Sequence, residues 1–241
     1  MSKRLIKQVF KEVRKANSKY NLIDNNDVVG VGMSGGKDSN MLLYFLYLLK
    51  KHTPIAFEIK PIYIDLGFNN EIHFLNEYCI NLNTELYIKK TNIGEIVFEI
   101  RKEKNPCSLC ANMRRGALNN TAKELGCNKV ALGHHLDDVV NTWLMSILYE
   151  NRYNVFKPKT YLDRIDITVI RPLIYVPEQQ IYKIFNHLDF KTVINNCPAE
   201  GATKRDEISN LVKHIEEKYP EAKKNILYSL ENVNENSFWK N

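Results

Sequence analysis

Hydrophobic and polar residues alternate along this chain in blocks that predict strands and helices in turn. Short runs rich in β-branched residues predict strands at 27–33, 57–65, 85–89, 129–133 and 166–171. Segments with apolar residues at helical spacing predict helices at 38–51, 71–81, 95–104, 109–125, 137–149, 177–188, 203–218 and 220–233. The polar and aromatic stretch 150–163 predicts an exposed loop. Because strands alternate with helices, we expect an α/β fold: a parallel twisted sheet flanked by helices, with a small C-terminal helical appendage.

The first segment predicts an amphipathic helix with a basic outer face. Its apolar residues recur at helical spacing, namely Leu5, Ile6, Val9, Phe10 and Val13. One anion, Glu12, accompanies seven cations, which are Lys3, Arg4, Lys7, Lys11, Arg14, Lys15 and Lys19. Two interpretations stay open: an ordinary solvated face of a packed helix, or a surface that contacts a phosphate backbone.

Composition narrows the class of protein. The 241 residues are 44% hydrophobic and 26% charged, which is ordinary globular usage and argues against extensive disorder. The longest apolar run, 41–49, is far shorter than the about 20 residues that cross a bilayer. Residues 1–20 lack the apolar stretch of a secretory signal. We therefore expect a cytoplasmic protein without a membrane segment, in which the five cysteines stay reduced and clustered ones suggest metal or redox chemistry.

A glycine-rich loop, Met-Ser-Gly-Gly-Lys-Asp-Ser, follows the first predicted strand. The letters of a dinucleotide-binding fingerprint match here, but Gly30 and Gly32 fall inside the strand rather than in the turn. A Walker loop needs Ser or Thr after its lysine, whereas Asp38 follows Lys37. The third interpretation fits every letter: residues 34–39 resemble the PP-loop of the ATP pyrophosphatase superfamily, which cleaves ATP between its α and β phosphates.

The composition of this loop suits a triphosphate better than it suits a plain turn. Glycines let the backbone approach phosphates closely, because no Cβ intervenes. Backbone amides and the positive end of the following helix then face the anion. Lys37 adds a cation, and Asp38 is suited to magnesium. The expected nucleotide contacts are Met33, Ser34, Gly35, Gly36, Lys37, Asp38 and Ser39.

Cysteines form the next chemical signal. Cys107 and Cys110 make a single Cys-x-x-Cys pair, which can bind zinc, act as a redox dithiol or ligate an iron–sulfur cluster. No second pair completes a four-cysteine zinc site. Cys197 lies in a turn-like Asn-Asn-Cys-Pro sequence, whereas Cys79 and Cys127 lie in settings typical of small core residues. Three thiolates would leave one metal position open, which favours chemistry over a structural role.

Two aspartates follow the fourth predicted strand. Asp137 and Asp138 come after Gly133 and a histidine pair, where a strand ends and a helix begins. Each could cap the helix, since carboxylates are favourable there, or act at the carboxyl edge of the sheet. The side chains of the adjacent His134 and His135 diverge, so a shared metal ion is not expected.

Other charged residues are expected near the same edge. Arg114 and Arg115 follow Cys110 on a predicted helix and are either surface residues or cations beside the nucleotide. Asp65 ends the second predicted strand, where it could approach the ribose or adenine or could cap a helix.

Four short motifs occur in a fixed order. They are Ser-Gly-Gly-Lys-Asp-Ser at 34–39, Cys-Ser-Leu-Cys-Ala-Asn-Met-Arg-Arg-Gly at 107–116, Leu-Gly-His-His-Leu-Asp-Asp at 132–138 and Ile-Arg-Pro-Leu at 170–173. Together they resemble the tRNA 2-thiocytidine synthetase family and are similar to the related tRNA 2-thiouridine synthetases. The likeness runs from about residue 25 to residue 201.

The resemblance implies a set of cofactors and roles. It implies ATP, Mg²⁺ and a [4Fe–4S] cluster held by Cys107, Cys110 and Cys197, with tRNA as substrate. It implies nucleotide contacts from residues 34–39 and Gly133. The residues to which it gives catalytic roles are Asp138, Asp137, Arg114 and Lys37.

Two departures from the family pattern concern the substrate and the cluster. Cys197 matches the first cysteine of the family's second Cys-x-x-Cys, but Glu200 stands at the second, so three ligands are available, which the family tolerates. Asn141 replaces the Glu of the family's Asp-Asp-x-x-Glu-Thr. The zinc-ribbon pairs of the thiouridine relatives are absent from the sequence, which favours cytidine.

The sequence thus predicts an iron–sulfur-dependent tRNA thiolase. It would adenylate a base carbonyl, at C2 of cytidine, and then transfer sulfur that comes from free sulfide or from a cysteine desulfurase. The expected organisation is a basic helix at 1–24, an ATP-binding domain at 25–175 and a helical region at 176–241, as a monomer or a homodimer. Three alternatives stay open: a 2-thiouridine synthetase, a PP-loop ligase of the lysidine type with structural zinc, and an oxygen-sensing nucleotide-binding module.

Overall fold

A computed structural model describes residues 2–102, 106–194, 196–198, 204–234 and 236 of the chain. Its strands are β1 Val28–Met33, β2 Glu58–Asp65, β3 Tyr87–Lys90, β4 Lys129–Ala131, β5 Lys159–Leu162 and β6 Ile167–Ile170. Its helices are α1 Ser2–Tyr20, α2 Lys37–His52, α3 His73–Asn81, α4 Ile93–Glu95, α5 Pro106–Glu124, α6 Leu136–Glu150, α7 Glu178–His187, α8 Lys204–Lys218 and α9 Ala222–Glu231. Asn195 and Glu200, which the sequence analysis used, lie outside the described residues.

The strands form one sheet in the order β3-β2-β1-β4-β6-β5. All neighbouring pairs are parallel except β5 with β6. The predicted α/β class, a mostly parallel sheet flanked by helices, is therefore confirmed. Within the described residues, no helix is long and apolar enough to cross a membrane.

Two local predictions were wrong. The stretch 150–163 was expected to be loop throughout, but it contains β5, which pairs antiparallel with β6 at the edge of the sheet. An edge strand buries little, and Tyr161 in β5 is 61% exposed, so the pattern of β5 gives no clear hydrophobic signal. The expected helix at 95–104 is instead the short α4 followed by π-helical turns at Ile96–Arg101.

The two faces of the sheet pack against different helices. Val29, Val31 and Met33 point from β1 into a core shared with α2 and α6. On the opposite face α5 lies close to β1, because Gly30 and Gly32 present no side chain there. A Cβ on Gly32 would stand 2.9 Å from Leu118 of α5, so no larger residue fits without a shift. This close packing fixes α5, which carries the Cys-x-x-Cys pair, against the central strand.

The terminal helices join the first of these cores. Val9 and Val13 of α1 are fully buried there, as are parts of α8 and α9 through Val212 and Leu227. The outer face of α1 holds the predicted cations, all of which are exposed. Cys79 and Cys127 are buried in the two cores, which agrees with the sequence expectation for small core residues.

Candidate active site

A crevice opens at the carboxyl ends of β1 and β4, two neighbouring strands from which the chain continues toward opposite sides of the sheet. β1 and β4 pair in parallel at the centre of the sheet, although β2 and β3 lie between them in the sequence. The chain leaves β1 toward β2 on one side and leaves β4 toward β6 on the other. Ligands of open α/β sheets bind at such a switch point, at the carboxyl ends of the strands. A cavity of about 620 Å³ lies there.

Most residues that the sequence predicts for nucleotide binding line this cavity. They are Met33, Ser34, Gly36, Asp38, Ser39 and Gly133. Two of the predicted catalytic residues, Arg114 and Asp138, line it as well. The crevice therefore brings together the glycine-rich loop, the start of α6 and one face of α5.

The glycine-rich loop is held open by its own hydroxyl groups. The Ser34 amide donates to Ser39 Oγ over 3.2 Å, and Ser39 Oγ donates to the Gly36 carbonyl over 3.0 Å. The Gly36 amide donates to Ser34 Oγ over 3.3 Å. These contacts shape a concave turn at the N-terminus of α2, which has no side-chain cap of its own. An anion placed there would meet backbone amides and the positive helix end.

A second segment lies across the back of this loop. Gly35 adopts φ of +78°, and its carbonyl accepts a hydrogen bond of 2.9 Å from the Val193 amide. Asn40 Nδ2 donates to the Lys191 carbonyl over 3.1 Å. Farther along, the Asn196 amide donates to Asn70 Oδ1 over 3.2 Å. We call residues 191–194, 196 and 197 the strap, because its first residues contact the loop and its last is Cys197.

Asp38 has a free oxygen beside the cavity. Its Oδ2 lies 3.1 Å from Lys37 Nζ, but its Oδ1 is buried and has no hydrogen-bond partner. His135 Nε2 lies 3.6 Å from that oxygen, beyond hydrogen-bond distance. A buried carboxylate oxygen without a partner is unfavourable, and hard cations such as Mg²⁺ take oxygen ligands. Asp38 therefore fits the predicted role as a magnesium ligand.

The two adjacent aspartates face different surroundings. Asp138 Oδ2 accepts the His135 amide over 3.0 Å, and its Oδ1 lies 2.6 Å from Arg205 Nη2 at the edge of the crevice. Asp137 instead accepts the Glu178 amide over 2.7 Å and pairs with Lys223 over 2.6 Å. Asp137 is thus buried in contacts that join α6 to α7 and α9, away from the crevice.

Asp65 and Lys37 also lie outside the crevice lining. Asp65 Oδ1 accepts the Gly67 amide over 2.9 Å, so this carboxylate closes the turn after β2. Asp65 caps no helix through this contact, because the next helix, α3, begins at His73. Lys37 points toward α7, where its Nζ lies 2.7 Å from Glu178 Oε1. Burial lowers the pKa of Lys37, but the hydrogen bond to Glu178 and the charge of Asp38 outweigh it and raise the pKa.

Two of the predicted cluster ligands, Cys107 and Cys110, occupy the first turns of α5, and the third, Cys197, lies at the end of the strap. Burial raises the pKa of the Cys110 thiol, Arg114 lowers it, and Cys197 and Cys107 raise it further. Cys107, Cys197 and Arg114 are therefore within electrostatic range of Cys110.

Three thiols are a donor set that an iron–sulfur cluster can use, because cysteine thiolates are its usual protein ligands and each binds a different iron. Across the described ranges, no three His, Cys, Asp or Glu side chains stand close enough to hold one metal ion.

Comparisons with known proteins identify the family. A family model described as a PP-loop domain matches residues 2–214. The chain belongs to the PP-loop family. A curated relative from Geotalea uraniireducens, named tRNA-cytidine(32) 2-sulfurtransferase, is 35% identical over 234 residues, or 95% of this chain and 93% of the relative. A relative of the same name from Bordetella pertussis is 36% identical over 235 residues, or 95% of this chain and 73% of the relative.

A solved structure gives a second line of comparison. The U34-tRNA thiolase NcsA from Methanococcus maripaludis, with its [4Fe-4S] cluster, matches this PP-loop protein with a TM-score of 0.79 and 25% identity. The match covers 96% of this chain and 79% of that one. The predicted resemblance to the tRNA thiolases and the predicted sulfurtransferase class are thus confirmed.

Some site residues of this PP-loop protein were missed by the sequence analysis. Arg205, on the first turn of α8, lines the crevice and pairs with Asp138. Glu178 pairs with Lys37 from the first turn of α7. Neither residue belongs to a motif used above, because each reaches the site only through the packing of a C-terminal helix. Asn141, the departure from the family pattern, contacts Ser209 of α8 over 2.9 Å and lies outside the crevice.

A third missed group surrounds the end of β4. His134 lines the crevice and stacks on Phe156, with ring centroids 4.7 Å apart. Arg171, from the Ile-Arg-Pro-Leu motif, donates through Nε to His134 Nδ1 over 3.2 Å. Burial lowers the pKa of His134 to about 4, so its ring is neutral near pH 7. The motif quoted for the family resemblance could have indicated Arg171.

Proposed function

We propose that this protein thiolates a tRNA base in an ATP-dependent reaction, with cytidine 32 as the base. The observation that carries the proposal is that Cys107, Cys197 and Arg114, a residue of the nucleotide crevice, all lie within electrostatic range of Cys110. The names of the curated relatives support cytidine 32 as the substrate.

The crevice residues would first activate the base. A carbonyl oxygen leaves poorly, so the base oxygen attacks the α-phosphorus of ATP, and pyrophosphate departs. Backbone amides of the loop and the N-terminus of α2 would hold the phosphates. Asp38 would hold Mg²⁺ through its unpaired oxygen, and Arg114 and Arg115 would offset charge from the cluster side of the crevice.

Sulfur would enter from the cysteine side. Cys107, Cys110 and Cys197 would hold a [4Fe–4S] cluster, which would supply the sulfur nucleophile. Sulfur then replaces the activated oxygen, and AMP leaves. The strap contacts the loop that would hold the nucleotide through Val193 and Lys191, a few residues before Cys197, which supports a sulfur site near the same edge of the sheet.

Asp138 is placed to handle a proton during this exchange. It lines the crevice and is oriented by the His135 amide and by Arg205. An incoming hydrosulfide must lose its proton as the C=S bond forms and AMP departs, and a fixed carboxylate can accept that proton.

The tRNA would lie along the basic face of α1 and reach into the crevice. Lys7, Lys11 and Arg14 are exposed there and form no ion pair within the described residues. Rows of exposed Lys and Arg side chains bind the phosphate backbones of nucleic acids. The same proposal includes a cytoplasmic location. It takes free sulfide or a cysteine desulfurase as the sulfur donor, and a monomer or a homodimer as the assembly.

A second candidate differs only in the base. The U34-tRNA thiolase that matches this fold acts, by its name, on uridine 34. Mass spectrometry of tRNA nucleosides from cells with and without this protein separates the two. Loss of 2-thiocytidine supports the first candidate, loss of 2-thiouridine supports the second, and an unchanged set contradicts both.

Purified protein tests the cluster directly. Anaerobic purification should give a brown protein with iron and sulfide in equal amounts, and Cys110→Ser should remove the colour. Cys127→Ala is the matched control, since Cys127 is buried in the core beneath α5 and should leave iron content unchanged. A colourless protein with bound zinc would favour the ligase alternative.

A further inference from the structure

The lysine of the PP-loop does not point into the nucleotide crevice. Gly36, Asp38 and Ser39 line the crevice, whereas Lys37 lines a second cavity of about 520 Å³ beside α7. Its Nζ lies 2.7 Å from Glu178 Oε1 and 3.1 Å from Asp38 Oδ2. The cationic side chain of the loop is therefore already paired before a nucleotide arrives.

The backbone of Glu178 is held in place by contacts at the start of α7. It opens α7, and its amide donates to Asp137 Oδ2 over 2.7 Å. Asp137 Oδ1 lies 2.6 Å from Lys223, which lies 2.6 Å from Glu216. These contacts fix the backbone from which the Glu178 side chain extends. Lys37, in contrast, has a flexible stem and can rotate toward either side of the loop.

We propose that Glu178 is a positioning residue that holds Lys37 out of the crevice until the β and γ phosphates of ATP draw it away. The inference rests on the proposed function, because it needs ATP in the crevice. Breaking the pair opposes ATP binding, and re-forming it favours release of pyrophosphate once the α–β bond is broken. Glu178 thus acts on the nucleotide only through Lys37.

The effect should depend on the phosphates beyond the α position. In titrations of the full-length protein without tRNA, Glu178→Gln should bind ATP and pyrophosphate about two- to fivefold more tightly, the range of a partly exposed ion pair. The affinity for AMP should not change. Steady-state assays should show a lower KM for ATP, and stronger inhibition by pyrophosphate.

Two further variants separate positioning from general charge effects. Glu217→Gln removes one negative charge from α8 without touching Lys37 or the contacts that hold Glu178, so its ATP affinity should equal that of wild type. In a Lys37→Met background, Glu178→Gln should have no effect. The proposal is overturned if AMP tightens as much as ATP, if Glu217→Gln binds ATP as tightly as Glu178→Gln does, or if the effect survives without Lys37.

The failures of the two proposals are distinguishable. If wild type binds ATP and Glu178→Gln binds it equally well, the positioning role is wrong and the proposed function stands. If wild type binds no ATP at all, the proposed function and this inference are both overturned.

Discussion

The central glycine of the PP-loop gives a quantitative test of how the site is built. Gly35 has φ of +78°, where a Cβ costs about 1–2 kcal/mol. A Cβ there would also overlap Val193 Cγ2 and stand 2.6 Å from Val193 Cβ. Overpacking of this kind costs about 1–3 kcal/mol. Gly35→Ala should therefore lower the free energy of unfolding by about 2–5 kcal/mol and displace the strap that carries Cys197.

Urea unfolding followed by fluorescence measures this loss. Gly116→Ala is the matched control: Gly116 lies inside α5 with nothing near its Cβ position, so alanine should stabilise by about 0.5–1 kcal/mol. Val193→Gly should restore the overpacking part in a double-mutant cycle, but not the backbone part. The reasoning is refuted if Gly35→Ala unfolds within about 0.5 kcal/mol of wild type, or if the cycle shows no coupling.

Three further predictions follow from the crevice and its surroundings. Asp138→Asn should keep ATP binding but slow tRNA-dependent AMP release by about 10²-fold or more, and a parallel loss of ATP affinity would contradict the proton role. Since burial holds the pKa of His134 at about 4 against 6.5 in the unfolded chain, stability is full above pH 6.5 and falls by at most about 3 kcal/mol toward pH 4. His134→Asn should flatten that part of the thermal unfolding profile, and an unchanged slope would argue against the buried neutral ring. Changing Lys7, Lys11 and Arg14 to Gln should weaken tRNA binding. The slope of log affinity against log salt concentration should become shallower by about one for each of these cations that binds a phosphate. An unchanged slope would place the tRNA on another surface of the protein.

The parts of the site that follow directly from a strand could be predicted from the sequence. The loop at 34–36 is recognisable because glycines, hydroxyls and a following helix occur together, and all of these act locally. Arg205 of α8 and Glu178 of α7 pair with residues far away in the sequence, so their neighbouring residues do not indicate these partners. Asp137 and Asp138 share the same local pattern, so only the packing of α6 against α7 and α9 separates them.

The topology of the sheet predicts the position of Cys107 and Cys110, whereas the position of Cys197 depends on tertiary packing. In a right-handed βαβ unit the helix runs antiparallel to its strands, so the first turn of the helix stands at the carboxyl edge of the sheet. α5 precedes β4 in this arrangement, which puts Cys107 and Cys110 at the edge where the PP-loop lies. No such rule applies to Cys197, because the described residues between α7 and Cys197 form neither a helix nor a strand. Val193, four residues before Cys197, donates to the Gly35 carbonyl, so we expect the glycine that shapes the loop to influence the position of the proposed third ligand as well.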